Sequence, residues 1–265
     1  MNVFRHEFRQ YRRALIGWCA GIAVFLVVYL PFLPAFMEQS DVLRTFLQGL
    51  GGPVLRAMGI DIDLFLGPLG FYSYAFTFLS LIGAIQAAGI GLSVLSKENR
   101  MRAADFLFTK PKTRGAVFFE KLGASVLSLF ITQAFFYALS SGALYLLAGQ
   151  RVPFRPFALV SLSFTPLQFF FFSLGALVAT AARRIKSVVS VSVGLAVGCF
   201  LLSMVSNLTG SAALRYVSPM RYFDTNYILL HGAYEPAFLW LSLSLTALMG
   251  ALAFVLYVKR DIRAV

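Results

Sequence analysis

A chain of 265 residues has the length of one or two soluble domains, but its composition excludes them: 59% of residues are apolar and only 13% charged, about half the charged share of a soluble fold. With 28 Phe and a mean hydropathy of +0.78, its natural solvent is a bilayer. A net charge of +12 suggests nucleic acid in a soluble protein; in a membrane protein the distribution of charge is read before its sum.

Residues 2–13 alternate bases with Val3, Phe4, Phe8 and Tyr11. Either they form a basic amphipathic helix on the membrane surface, with Phe4 and Phe8 toward lipid and Arg12 toward water, or they are a frayed charged end. Six runs without Asp, Glu, Lys or Arg follow, at 14–36, 69–96, 122–148, 157–182, 187–206 and 237–258. Each has about 20 residues or more, enough for a helix to cross about 30 Å of hydrocarbon. Helices are expected because lipid offers no partners to an open backbone, and the alternating strands of an outer-membrane barrel are absent from the sequence. The first run, at 23 residues, is longer than a signal-peptide core and is expected to stay in the protein. The predicted fold is an all-α integral membrane protein of six transmembrane helices in a single domain spanning 1–265.

Between the first two runs, residues 40–50 suit a short helix capped by Ser40 or Asp41 and stopped by glycines. Small residues recur every fourth position in two spans: Gly83, Ala87 and Gly91 in the second, Ser190, Gly194 and Gly198 in the fifth. Such stripes let backbones approach closely, either inside one chain or between two subunits. The stretch 207–236 is long and half apolar; Tyr216 to Phe223 mix aromatics with Arg, as an interfacial or re-entrant segment or an ordinary structured loop would.

Of the 23 basic residues, 17 fall at the N-terminus, in 97–121, in 183–186 and in the tail; 6 fall on the opposite side. The acids split 5 to 6, leaving +12 on the first side and zero on the other, so the positive-inside rule places both termini in the cytoplasm and accounts for the whole excess charge. No nucleic-acid partner is needed.

Catalytic chemistry is not evident. The sequence has no phosphate-binding G-x-x-x-x-G-K-[ST] loop, no H-E-x-x-H and no G-x-S-x-G. Cys19 and Cys199 stand alone in apolar runs, and His6 and His231 fall on opposite sides of the membrane. No catalytic residue, metal ligand or cofactor is therefore expected in this chain. No span carries an ionisable relay of the kind ion-coupled carriers use, so energy for transport has to come from outside the chain. A secondary carrier or channel not driven by ATP is the alternative; a lipid-modifying membrane enzyme lacks its nucleophile.

The cytoplasmic stretch 97–121 reads KENRMRAADFLFTKPKTRGAVFFEK. Glu98 and Arg102 are spaced to pair on a helix. Phe106, Leu107 and Phe108 form an apolar patch, Pro111 ends the helix, and Thr113 caps the next. Such a patch has to be covered by headgroups or by a partner protein.

The residues Glu98, Ala104, Asp105, Phe106, Leu107, Thr109, Lys110, Pro111, Arg114 and Lys121 resemble the signature of ABC-2 type transporter permeases, in the branch reading K-E-x-x-x-x-T-A-D-F-L-x-T-K-P-V-S-R with a downstream Lys. Ser218 to Phe223 and Tyr257 to Ile262 resemble the same branch, so the likeness covers the whole chain. Departures are Ala103 for Thr, Lys112-Thr113 for Val-Ser, and Arg102 where glycine is common. The resemblance implies the transmembrane subunit of an exporter in the bacterial cytoplasmic membrane. A separate ATP-binding subunit, which holds ATP and magnesium, would dock on a coupling helix through Glu98, Arg102, Asp105, Phe106, Leu107, Lys110, Pro111 and Arg114. A second permease, identical or paralogous, would complete the path. The 2–13 helix would be the family's interfacial element, and 207–236 its external gate. Substrates of the family include drugs, antimicrobial peptides, lipids and polysaccharides.

Overall fold

The computed structural model describes residues 3–101, 114–148, 152–182 and 185–259, which are helical throughout with short connections and no strand among them. The chain opens with α1 (Val3–Tyr29), a single turn at Leu30–Phe32 and α2 (Leu33–Glu38). Three short helices follow: α3 (Ser40–Gly49), α4 (Gly52–Met58) and α5 (Ile62–Phe65). Next come the long α6 (Pro68–Met101) and α7 (Arg114–Ala148), then α8 (Phe154–Leu162), α9 (Phe164–Ala181) and α10 (Val188–Thr209). The chain closes through α11 (Ala212–Tyr216), α12 (Thr225–His231) and α13 (Pro236–Lys259).

Six stretches of the described residues are long and apolar enough to span a membrane: Phe8–Glu38, Pro68–Leu95, Phe118–Ala148, Phe154–Ala181, Val188–Thr209 and Pro236–Lys259. They coincide in order with the six apolar runs of the sequence. Two differences matter. No turn separates the N-terminal amphipathic residues from the first span; α1 is one uninterrupted helix, with Tyr11 and Leu15 already buried on its inner face. The separate surface helix expected there is thus the first part of a longer rod. The fourth span is not a single helix. Pro166 has no N–H to give to Leu162, and its ring crowds that carbonyl, so the helix breaks at Ser163. The first span is interrupted in the same way at Pro31 and Pro34.

Spans 2 and 4 make the centre: 61% of their apolar windows are buried, against 17% for spans 1, 5 and 6. Close approach of α6 and α9 requires glycine. A Cβ at Gly91 would stand 2.2 Å from the Phe172 carbonyl oxygen, and one at Gly175 would stand 2.4 Å from that of Ala88. Polar groups in this dry centre bond mainly to one another, although Gln133 Oε1 and Gln168 Oε1 are buried without a hydrogen-bond partner. Gln168 Nε2 donates to Gln86 Oε1 (3.2 Å), Gln86 Nε2 to Thr132 Oγ1 (2.8 Å), and Thr132 to the Ser128 carbonyl (3.1 Å). Gln133 Nε2 donates to the Ser161 carbonyl (3.1 Å), while the Tyr72 and Ser161 hydroxyls share a hydrogen at 2.7 Å. These bonds tie spans 2, 3 and 4 together where lipid offers no alternative partner.

Candidate functional site

At the end of the bundle that holds the termini, α6 and α7 lead into the charged segment. Arg102, Asp105, Phe106, Leu107, Lys110 and Pro111 lie outside the described residues. Glu98 and Arg114 belong to the flanking helical turns, and their side chains are likewise outside the described set. What the structure does describe is the root of this segment. Lys121 on α7 is 3% exposed and donates to the Val94 carbonyl of α6 at 3.5 Å. A buried ammonium thus joins the two helices just where they enter the membrane. Lysine is almost never fully buried unless paired, which marks the position as structurally committed.

Phe8 is half-buried and Arg12 exposed on α1; the Phe4 side chain is outside the described set. The two small-residue stripes separate by role. Gly83 and Gly91 face the fourth span, and Ala87 is fully buried; a Cβ at Gly83 would stand 2.4 Å from the Phe164 ring. Ser190, Gly194 and Gly198 are exposed, and a Cβ at either glycine meets nothing within 4 Å. Gly17 and Gly21 on α1 are open in the same way, a second four-residue glycine spacing that the reading of the sequence passed over.

At the opposite end the stretch 207–236 folds back over the spans as a cap. Tyr222 and Phe223 are buried in it, while Tyr216 stays exposed: Tyr222 packs on Phe170 and Phe238, and Phe223 meets the Tyr234 ring edge-on at 5.6 Å. Polar clasps hold it. Arg215 pairs with Glu235 at 2.5 Å and lies 4.0 Å over the Phe238 ring. Tyr222 donates to the Tyr216 carbonyl, and Tyr234 to the Leu159 carbonyl at 2.6 Å. Burial pushes the Tyr234 phenol up to about 12. Burial also raises Tyr222, with a smaller contribution from the Cys199 thiol.

Beneath the cap is a cavity of about 140 Å³. Thr77 and Ser80 of α6, Ser163 at the break in span 4, and Ser203 and Asn207 of α10 line it from the membrane side. Each of the four hydroxyls donates to a carbonyl of its own helix, so its oxygen lone pairs remain to face the cavity. The cap supplies Arg221, Asp224 and Asn226. Asp224 caps α12 through the amides of Asn226 and Tyr227, and also receives Arg221 Nη2 at 3.4 Å. Arg221 Nη1 reaches Ser206 at 3.1 Å, and Asn226 Nδ2 reaches back to the Gly59 carbonyl at 3.0 Å. The result is a polar chamber at the end of an apolar bundle, suited to holding water or polar groups of a solute. The pairing of Thr77 with Ser80, one helical turn apart, is the sequence signal that could have disclosed its floor. Among the described residues no group of three His, Cys, Asp or Glu is placed to hold a metal.

Among curated proteins, no match to this chain is found. The family model for ABC-2 family transporter proteins matches residues 1–262. With six apolar helices of spanning length and a family match over nearly its whole length, the chain belongs to the ABC-2 transporter family and is a multi-pass, membrane-spanning transporter subunit.

Proposed function

We propose that this chain is the permease of an ATP-driven exporter, with both termini and the segment 97–121 in the bacterial cytoplasm. Two permeases form the path, and two separate ATP-hydrolysing subunits dock on residues 97–114. The observation that carries the reading is the segment Asp105-Phe106-Leu107-Phe108-Thr109-Lys110-Pro111, lying between spans 2 and 3 of a chain of this family. Burying each of its Phe side chains in a protein groove contributes about 1.5–3 kcal/mol. Asp105 orients the helix through hydrogen bonds or a basic partner residue, worth about 2–5 kcal/mol in a part-buried interface. Lys121, anchored to Val94, is placed to carry a push on the segment into spans 2 and 3. The open glycines of α1 and α10 supply faces for the second permease. The cap formed by 207–236 closes the chamber at the exit.

Phe106→Ala and Asp105→Lys should lower pull-down of the ATPase and uncouple its hydrolysis from transport while leaving membrane insertion intact. Normal coupling and pull-down in both variants would overturn the docking assignment. Orientation is tested separately: single cysteines at Ser40 or Gln150 should label from outside intact cells, and one at Lys112 should not.

A further inference from the structure

The helix α3 has an apolar arc that the protein covers only by half. Leu43 and Leu47 point inward and join a small cluster with Leu55, Leu66, Phe36 and Phe65. Val42, Phe46 and Leu50, spaced every fourth residue beside them, are 69%, 63% and 39% exposed. The remaining arc is polar: Asp41, Arg44, Thr45 and Gln48 are all exposed, and Arg44 pairs with the water-facing Asp63 at 2.8 Å. An oil–water boundary therefore runs along the helix axis rather than around one end of it.

The depth of the helix is set by its neighbours. Phe36 lies at the end of the first span, which closes at Glu38, and Phe65 lies just before the second, which begins at Pro68. α3 thus sits level with the span ends, where hydrocarbon gives way to headgroups. We infer that α3 lies in the plane of the membrane surface opposite the termini, with Val42, Phe46 and Leu50 seated among the lipid acyl chains. Two features select lipid over a second copy of the chain. The uncovered face is continuous in level with the lipid-exposed ends of the spans. Its polar edge carries Arg44, and the next helix the exposed Arg56, at the height of lipid phosphates. The element would hold the first external connection down against the bilayer and fix the height of α4. That helix carries Gly59 to the chamber, where the Gly59 carbonyl receives Asn226. This seating of α3 in lipid requires neither the ATPase nor a direction of transport.

The test uses the full chain in vesicles of phosphatidylcholine and phosphatidylglycerol, with Trp18→Phe and Trp240→Phe to remove native emission. Phe46→Trp should emit at shorter wavelength than Gln48→Trp and fall about twofold when the lipids carry bromine at shallow acyl positions, since interfacial helices sit about 5–10 Å into the headgroup–acyl boundary. Gln48→Trp should instead be quenched from the aqueous phase. Val42→Trp serves as a second reporter if Phe46→Trp does not fold. Water-like emission with no quenching by brominated lipid at both positions would overturn the inference. So would efficient disulfide formation between two copies of Phe46→Cys in a chain lacking Cys19 and Cys199, which would place a second subunit on this face.

Discussion

Two glycine stripes of the same spacing do opposite work in this protein. On the second span, Gly83 and Gly91 are filled against the fourth span, one by an aromatic ring and one by a backbone carbonyl. On the fifth span, Gly194 and Gly198 face open space. A missing Cβ creates the capacity for close approach, but only the neighbour decides whether it is used within one chain or kept for another.

The most severe way to break this contrast is to fill the inner stripe. Gly91→Leu or Gly175→Leu drives atoms into main chain that cannot yield, which is expected to cost more than the usual 1–3 kcal/mol or so of overpacking. The expected outcome is loss of monodisperse protein in mild detergent and a large drop in the midpoint of thermal unfolding. The same change at Gly194 should leave the melting midpoint of the single chain near its original value. Under the proposed assembly, it should weaken association of two permeases by on the order of 1 kcal/mol, about fivefold, as read by subunit exchange. A Gly194→Leu chain that unfolds like Gly91→Leu would erase the distinction between the stripes.

A gentler probe of the centre is Gln86→Leu, which removes the acceptor for Gln168 and the donor to Thr132 in one step. Leaving buried polar groups without these partners costs about 1–3 kcal/mol. Gln133→Leu, whose bond to the Ser161 carbonyl is an isolated one, should cost less in the same melt. Equal losses would mean that the chain of amides gains nothing from being connected.

The cap over the chamber gives the smallest effects, because its clasps are partly wet. Arg215 and Glu235 side chains are 21% and 26% exposed, so Glu235→Gln should cost about 1 kcal/mol or less, falling further in high salt. Tyr234 offers a pH test. Its phenol ionises near 12 in the folded chain against about 10 when free, so the folded state holds the proton more tightly. Its contribution is complete below pH 10 or so and is lost as pH rises toward 12, and Tyr234→Phe should flatten that alkaline decline in stability. A phenol titrating near 10 in the folded protein would show that the cap is open to water.

The six spans were legible because lipid imposes the same requirement on every crossing segment whatever its neighbours: about 20 apolar residues without charge. Pro166 announced the break in span 4, yet a run of Phe and Leu around it reads as one helix, since lipid tolerates a proline when neighbouring groups re-satisfy the backbone. The N-terminal residues read as a separate surface helix because their bases belong in water. Arg9, Arg12 and Arg13 are exposed while Tyr11 is buried on the inner face, so the same helix continues into the span without a turn. The glycine stripe of the second span was visible, but not that Phe164 fills it.

Sequence alone therefore determined the class of solvent, the number and order of crossings and the charge asymmetry, all of which depend on local composition. The chamber was beyond its reach. It joins Gly59, Ser163, Asn207 and Asn226 from four separate parts of the chain. Hydroxyls that look like ordinary helix polar groups in sequence acquire a common direction only when α6, α9 and α10 pack at particular rotations. The rotations of α6 and α9 are set by steric fit at Gly91 and Gly175 and by the amide chain from Gln168 to Thr132, contacts that no residue makes by itself.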